Sequence, residues 1–253
     1  MKPFRKRSRH PEPPPPDPVT LALDYPYEAP AYDFILRGQH PGAVNALSEP
    51  DREGRVPILA FGSNRSAKQL ARKFGDMPDA AVPVERARLT GFDIVHAAHI
   101  ARFGAIAAAL LESPGTTVEV SITWLAPALL PIMHRSEGAG RSYDYVRLDG
   151  IALKTLAGVA HDSVMAYLSR SGALTIDGAP RALAASVAEG RSFTPLDQRG
   201  AQEAAMAKLG VVDSIKTFIR ENLRDEELRH ERERLLAADA RKLVWPGVTV
   251  LPA

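Results

Sequence analysis

The feature that most constrains the fold is the stretch VPILAFGSNRSAKQLARKF at residues 56–74. Val56 to Phe61 form a nearly continuous apolar run, which is typical of a buried strand. The run stops at Gly62-Ser63-Asn64, and apolar residues then recur at the three- and four-residue spacing of a helix. Asn64 or Ser66 can cap that helix. We therefore expect a strand end, a tight turn and a helix N-terminus to lie side by side.

The region that follows is rich in strand patterns. Residues 118–124 alternate strictly between apolar and polar side chains, as a half-buried strand does. The stretches YVRLDGIAL and SVMAYL predict two further strands, and LAPALLPIMHRSEG predicts a helix that Pro131 would kink if it lay in the interior. Residues 56–170 thus predict about six strands and one or two helices, an α+β arrangement.

The segments that flank this region differ from it in composition. Residues 1–18 contain seven prolines and five lysines or arginines, so we expect a disordered, basic arm. Residues 19–55 combine aromatic rings with turn residues, which predicts an extended segment that packs on the rest of the chain. We expect the main domain to span residues 56–178 and a mostly helical extension to span residues 179–253.

The C-terminal extension carries dense charge. We expect helices over residues 179–189 and 198–241, joined by a loop. Within the second helix, RENLRDEELRHERERLL places opposite charges four residues apart, as in Asp225 and Arg229. Such a face is usually solvated, and the alternative is a helix that binds a protein partner.

The composition narrows the possible chemistry. The chain has no cysteine, which excludes disulfides, thiolate metal sites and cysteine nucleophiles. A formal net charge of +2 does not by itself indicate a nucleic-acid partner. No apolar run approaches the ~20 residues that span a bilayer, and no hydrophobic segment follows the basic N-terminus as in a signal peptide. We therefore expect a cytoplasmic protein with no nucleic-acid and no membrane partner.

The Gly-Ser-Asn turn is a candidate anion site. A strand that ends in small residues before a helix leaves backbone N–H groups without partners, and the helix dipole favours negative charge there. The spacing is neither that of a P-loop nor that of a dinucleotide-binding loop. By itself the pattern is equally compatible with a plain strand–turn–helix connection that binds nothing.

A second feature follows in IMHRSEGAGRSYDYV, where Glu137 precedes a glycine at the end of the predicted α-helix. The order of Phe61-Gly62-Ser63-Asn64, the strand LTGFDIVHA and Glu137-Gly138 resembles the gamma-glutamylcyclotransferase-like family. The resemblance spans about residues 56–170 and implies a small mixed β-barrel with flanking helices. Two positions depart from the family pattern. Phe61 stands where the family usually has tyrosine, and Arg65 stands where it usually has leucine.

The resemblance implies a reaction and roles for individual residues. A gamma-glutamyl amide would cyclise to 5-oxoproline and release its amine, with Glu137 as general acid and base and with no cofactor or metal. We expect a partly desolvated pocket to raise the pKa of Glu137. The predicted substrate-binding residues, through backbone N–H groups, hydroxyls or a cationic contact, are Phe61, Gly62, Ser63, Asn64, Arg65 and Tyr145.

Other interpretations remain open from the sequence. A non-catalytic small-molecule-binding or scaffold protein with the same fold would explain Phe61 and the charged C-terminal helix. An amidase that uses Ser63 as nucleophile lacks an assigned histidine to activate the hydroxyl. His96 and His99 would face opposite sides of a strand, so we do not expect a metal site there. The identity of the leaving amine stays open as well.

Overall fold

The computed structural model describes residues 16–77 and 80–253. Most of the predicted N-terminal arm, residues 1–15, lies outside the described residues. The strands are β1 (Asp33–Arg37), β2 (His40–Val44), β3 (Val56–Ala60), β4 (Ala81–Ile100), β5 (Ile106–Leu125), β6 (Tyr143–Thr155), β7 (Ala160–Ser169), β8 (Thr175–Ile176), β9 (Ala179–Pro180), β10 (Ala182–Leu183), β11 (Ala188–Glu189), β12 (Pro195–Leu196) and β13 (Val248–Val250). The α-helices are α1 (Pro18–Leu23), α2 (Glu49–Arg52), α3 (Ala67–Phe74), α4 (Leu130–Glu137), α5 (Gln198–Lys208), α6 (Ile215–Arg224) and α7 (Glu226–Leu236).

Five of these strands close into a barrel. Their order is β5-β3-β7-β6-β4, and β4 pairs back onto β5. β3 and β7 run parallel, whereas the other neighbouring pairs in the barrel are antiparallel. The β1–β2 hairpin extends the sheet from β4. The predicted α+β class, with a small mixed barrel and flanking helices, is confirmed.

The strand patterns of the sequence correspond to the barrel strands. Residues 118–124 lie in the second half of β5, and Val118, Val120 and Ile122 are fully buried there. β3 pairs with β5 on one side and β7 on the other, so it has no free edge. This central position explains the nearly continuous apolar run from Val56.

Two helices pack against the barrel from outside. α3 buries Leu70, Ala71 and Phe74, and α4 buries Met133 in the same apolar cluster. A 3₁₀ turn over Pro127–Leu129 precedes α4, so Pro131 falls in the first turn of the α-helix, where its missing N–H breaks no intrahelical bond.

The N-terminal segment is not extended throughout. Residues 19–55 contain most of α1, the β1–β2 hairpin and α2. Val19 and Ala22 of α1 pack against Ile219 of α6, which joins the two ends of the chain. The boundaries at residues 18, 55 and 178 stay a prediction.

The C-terminal segment differs from the prediction in its first part. The helix expected over residues 179–189 is wrong, because this stretch forms the short strands β9, β10 and β11. Ala182 pairs with Val95 of β4, and Ala188 pairs with Val118 of β5. These tertiary pairings outweigh the helix preference of the alanine-rich sequence. The single region 198–241 divides into α5, α6 and α7, and β13 then returns to pair with β6.

Among residues 16–77 and 80–253, the helices are all too short or too polar to traverse a lipid bilayer.

Candidate functional site

A cavity of about 590 Å³ opens beside the end of β3. Its wall combines the Gly-Ser-Asn turn, α3, the turn between β4 and β5, the end of α4 and the first two turns of α7. Phe61, Gly62, Ser63, Asn64 and Glu137 all belong to the lining. The two sequence motifs, which lie 73 residues apart, therefore meet in one concave site.

The Gly-Ser-Asn turn is a single 3₁₀ turn, Ser63–Arg65, between β3 and α3. The N–H of Arg65 donates to Gly62 O at 3.2 Å, and the N–H of Ser66 donates to Ser63 O at 3.0 Å. The N–H groups of Ser63 and Asn64 are not donors in either of these bonds. Ser66 occupies the N-cap position of α3, but its side chain makes no capping hydrogen bond. The turn thus uses the N–H of Arg65 internally, whereas the N–H of Ser63 faces the hydroxyl of Tyr25.

Gly62 is required by the close approach of Tyr25. A Cβ atom at position 62 would lie 2.5 Å from the Tyr25 hydroxyl oxygen, well inside van der Waals contact. Tyr25 is itself fixed, because the N–H of Ala108 donates to its hydroxyl at 2.9 Å. Burial raises the pKa of Tyr25, so the phenol keeps its proton at neutral pH. A phenol from the N-terminal segment therefore lies against the turn.

Glu137 ends α4, and Gly138 follows it with φ of +65°, a left-handed conformation that suits glycine. Nδ2 of Asn64 donates to Oε1 of Glu137 at 3.1 Å. The ammonium of Lys73 donates to Oδ1 of Asn64 at 2.7 Å and also contacts Oε1 of Glu137. Asn64 is thus held from both sides, and its amide links the turn to the carboxylate.

The two donors converge on one carboxylate oxygen. Oε2 of Glu137 accepts no bond from Asn64 or Lys73. The Glu137 side chain is 17% exposed and lines the cavity. Asn64 and Lys73 therefore orient the group through one oxygen, and Ser136 is a further hydrogen-bond partner of the carboxylate.

Burial of Glu137 favours the neutral acid, but the Lys73 ammonium outweighs it, with help from the hydrogen bond of Asn64. The net result is a pKa of Glu137 below the usual glutamate value. The expected rise in this pKa is wrong, because the sequence pattern contained no indication that a lysine contacts the carboxylate. The group is a carboxylate at neutral pH and therefore begins as a proton acceptor.

Two predicted residues are not among those that line the cavity. Arg65 is directed elsewhere, and burial lowers the pKa of its guanidinium. Tyr145 is buried against His134 and Tyr167, with its ring centroid 4.7 Å from that of His134. Tyr143 lines the cavity instead. Tyr143 and Tyr145 share a face of β6, but two residues of strand separate them by about 7 Å, which takes Tyr145 past the cavity.

Sequence reasoning missed Lys73 and Tyr25. Lys73 lies in the last turn of α3, where a lysine is commonly read as a solvated complement to the helix dipole. Gln69, four residues before Lys73, also lines the cavity. The sequence feature that could have identified Lys73 is that both residues lie on one face of α3. The aromatic cluster around Tyr25 was expected to pack on the domain, without a defined partner.

The C-terminal extension forms the opposite wall of the cavity. Glu226, Arg229, His230 and Glu233 of α7 belong to the lining. Oε1 of Glu233 lies 3.2 Å from Nδ1 of His99 and accepts the N–H of Ile100 at 3.2 Å. These contacts attach α7 to the end of β4. The extension is therefore part of the site rather than a separate attachment.

The two neighbouring histidines have separate partners. His96 is fully buried, and its Nε2 lies 2.8 Å from Leu196 O. His99 contacts Glu233 from the other face of the strand. Within the part of the chain that the structure describes, no group of three histidine, aspartate or glutamate side chains is arranged to hold a metal ion.

Comparison with known proteins gives matches in structure but not in sequence. No protein-family model matches the chain, and no curated protein matches its sequence. A solved structure of a gamma-glutamyl cyclotransferase is similar with 15% identity and a TM-score of 0.38, covering 76% of this chain and 92% of that one. A crystal structure of an uncharacterized protein from Homo sapiens is similar with 16% identity and the same TM-score, covering 72% of this chain and 88% of that one.

Proposed function

We propose that this protein is a gamma-glutamylcyclotransferase-like enzyme that converts a gamma-glutamyl amide or dipeptide to 5-oxoproline. The observation that carries the proposal is the hydrogen bond from Asn64 of the Gly-Ser-Asn turn to Glu137, inside a cavity. It joins the two motifs on which the family resemblance depends. The structural similarities described above are too weak to add to this argument.

The turn supplies the binding half of the site. The N–H of Asn64 and the hydroxyl of Ser63 are suited to a carboxylate at the cavity wall. Held there, the α-carboxylate of a gamma-glutamyl group would place its α-amine near its own γ-carbonyl. Alignment of two ends of one molecule supplies a large part of the rate in such intramolecular reactions.

Glu137 supplies the proton transfers. As a carboxylate it accepts a proton from the substrate α-ammonium. The amine nitrogen then forms a bond to the γ-carbon and gives up a second proton, and the bond from that carbon to the leaving nitrogen breaks. The leaving amine takes up both protons, one of them from Glu137, and departs as an ammonium ion. The products are 5-oxoproline and a free amine or amino acid, with no change in oxidation state. The reaction needs no nucleophile from the enzyme.

Lys73 would have two opposing effects on this chemistry. Its ammonium keeps Glu137 ionised and oriented, which favours the first proton transfer. The same contact makes Glu137 a weaker base. Substrate binding that draws Lys73 towards the α-carboxylate would relieve this second effect.

The ion pair between Lys73 and Glu137 also favours a second function, a protein that binds a small acidic ligand without transforming it. A carboxylate with a lowered pKa is a less effective acid/base group at neutral pH than one with a raised pKa. In that case Glu137 would recognise an ammonium group of the ligand.

The test is 5-oxoproline release from a panel of gamma-glutamyl dipeptides and amines, with Glu137→Gln as the paired control. Release by the native chain and its loss in the variant would support the enzyme. Ser63→Ala would retain most of the activity if Ser63 only binds, and would lose all of it if Ser63 were a nucleophile. Ligand binding without release across the panel would support the binding protein instead.

A further inference from the structure

The cavity lining is strongly cationic compared with the chain as a whole. Thirty residues line it, and six of them are arginine or lysine against three glutamates, which leaves an excess of three positive charges with histidines neutral. The whole chain of 253 residues has a formal net charge of only +2. The residues outside the lining therefore carry a net charge of −1. Positive charge is concentrated at this one site.

The three glutamates of the lining all have basic partners. Glu137 contacts Lys73, Glu226 lies 3.3 Å from Arg229, and Glu233 lies 3.2 Å from His99. These pairs balance Lys73 and Arg229. The other four basic residues of the lining make no ion pair with a carboxylate within residues 16–77 and 80–253, and they are Arg72, Arg102, Arg135 and Arg141.

These four arginines, which we call the mouth arginines, come from four separate elements. Arg72 lies on α3, Arg102 in the turn between β4 and β5, Arg135 on α4, and Arg141 in the turn between α4 and β6. All four side chains are exposed, so they lie at the opening rather than at the floor. Convergence from four elements is a property of the folded cavity and not of a charged stretch of sequence. A concave site lined by one sign of charge concentrates ligands of the opposite sign.

A simple gamma-glutamyl amide does not use this charge. Its α-carboxylate is expected at the Gly-Ser-Asn turn and its α-ammonium at Glu137, both at the cavity wall beneath the opening. In that orientation we expect the leaving side of the amide to face the opening, where the mouth arginines lie. Arginine is well suited to carboxylates because its guanidinium can donate two parallel hydrogen bonds.

We propose that the site selects gamma-glutamyl compounds whose leaving group is an acidic amino acid, with the mouth arginines binding its carboxylates. This inference rests on the proposed function for the orientation of the substrate, but the preference for extra negative charge is a property of binding. It can therefore be measured without turnover.

The experiment compares gamma-glutamylglutamate with gamma-glutamylglutamine, which have nearly the same shape and differ by one negative charge. Binding to the Glu137→Gln protein is measured by calorimetry, and 5-oxoproline release is measured with the native chain. Since one exposed charge pair changes an equilibrium constant by about two- to fivefold, we expect gamma-glutamylglutamate to bind about fivefold more tightly at low salt. The difference should shrink at ~1 M salt, where the Debye length is only about 3 Å.

The test variant carries both Arg102→Gln and Arg141→Gln. Its matched control carries Arg199→Gln alone. The side chains of Arg102 and Arg141 make no hydrogen bond to another described residue, so their replacement should leave the fold intact. Arg199 is an exposed arginine on α5 outside the lining, and its replacement removes the same kind of charge elsewhere. We expect the first pair to abolish most of the preference and the control to retain it.

Each outcome decides a different point. Equal binding of the two dipeptides, or a preference that survives in the Arg102→Gln/Arg141→Gln protein, would overturn the inference. A preference in binding without any release of 5-oxoproline would keep the inference and remove the proposed catalysis. Release from both dipeptides at equal efficiency would support the proposed catalysis and would overturn the preference for an acidic leaving group.

Discussion

Glu85 and Glu137 are both carboxylates paired with a basic side chain, yet their surroundings differ. Glu85 lies on β4 with a side chain that is 0% exposed. Nη2 of Arg52 donates to its Oε2 at 2.7 Å, and Nε donates to its Oε1 at 3.1 Å. The indole N–H of Trp124 donates to the same Oε1 at 2.8 Å. Both oxygens of Glu85 are therefore occupied by the protein.

Asn64 and Lys73 both contact the same oxygen of Glu137, and the side chain is 17% exposed and lines the cavity. The difference shows that a pair of a carboxylate and a basic side chain can either stabilise the fold or form part of a binding site. A carboxylate whose oxygens are both occupied contributes to the folded state, because losing one partner leaves a charge buried. A partly exposed carboxylate that lines a cavity is placed for a ligand. The following predictions test this distinction.

The largest effect is expected for Glu137→Gln. If Glu137 transfers protons, the amide cannot, and 5-oxoproline release should fall by about 10²–10⁴-fold. The free energy of unfolding should change by about 1 kcal/mol or less, because the pair is partly exposed and an amide still accepts from Lys73. Product assay and chemical denaturation of the same preparation would check both. A folded variant with native activity would remove Glu137 from the mechanism.

Glu85→Gln should show the opposite pattern. Neutralising this carboxylate removes the charge from a side chain that is 0% exposed, against 17% for Glu137, and leaves Arg52 without its partner. We expect a loss of about 3 kcal/mol in the free energy of unfolding, with activity retained per folded molecule. Denaturant titration gives the first quantity, and activity normalised to folded protein gives the second. A stable but inactive Glu85→Gln protein would show that Glu85 is needed for activity rather than for stability, which contradicts the distinction between the two carboxylates.

Gly62→Ala tests the wall of the open site without touching either carboxylate. The new Cβ would meet the Tyr25 hydroxyl at 2.5 Å, so Tyr25 or the turn must move, at about 1–3 kcal/mol of stability. Removing the hydroxyl relieves the contact, since the next Tyr25 atom, Cζ, lies 3.6 Å from the Cβ position. Tyr25→Phe/Gly62→Ala should therefore be less destabilised than the sum of the single variants. Strict additivity would show that Tyr25 does not contact the turn in solution.

The smallest effect is a shift in pH dependence for Lys73→Met. The pKa of Glu137 is lowered in the native chain, so activity that requires its carboxylate should persist below the usual glutamate range and fall as pH drops through that lowered pKa. The same pair stabilises the fold above the unfolded pKa, and this contribution is lost as pH falls. Without Lys73, burial dominates, the pKa rises, and the acidic limb of the pH–rate profile should move to higher pH.

Lys68→Met is the matched control for this shift. Lys68 lies on the same helix, is exposed and is absent from the cavity lining. Its replacement should leave the acidic limb in place. An unshifted limb in Lys73→Met, or an equal shift in both variants, would show that Lys73 does not set the protonation of Glu137. Titration of the carboxyl group by NMR gives the same answer where no substrate is turned over.

The sequence predicted the elements of the barrel domain because its side-chain periodicities are local. Strict alternation at residues 118–124 and the apolar run from Val56 report which face of a strand is buried, and the structure has strands at both places. The alanine-rich stretch 179–189 contains no such periodicity. Pairing with β4 and β5 decided its conformation, which is why the predicted helix is wrong there.

For the site, the sequence by itself determined which residue types could do the chemistry, through the Gly-Ser-Asn turn and Glu137 before its glycine. Only the tertiary structure decided which groups surround them. Lys73 lies 64 residues from Glu137, and Tyr25 lies 83 residues from the Ala108 N–H that fixes it. No local pattern encodes such contacts, because they depend on how barrel closure brings separate segments together. Barrel closure places Lys73 against Glu137, which keeps the carboxyl group ionised. It also brings the four mouth arginines together at the opening of one cavity.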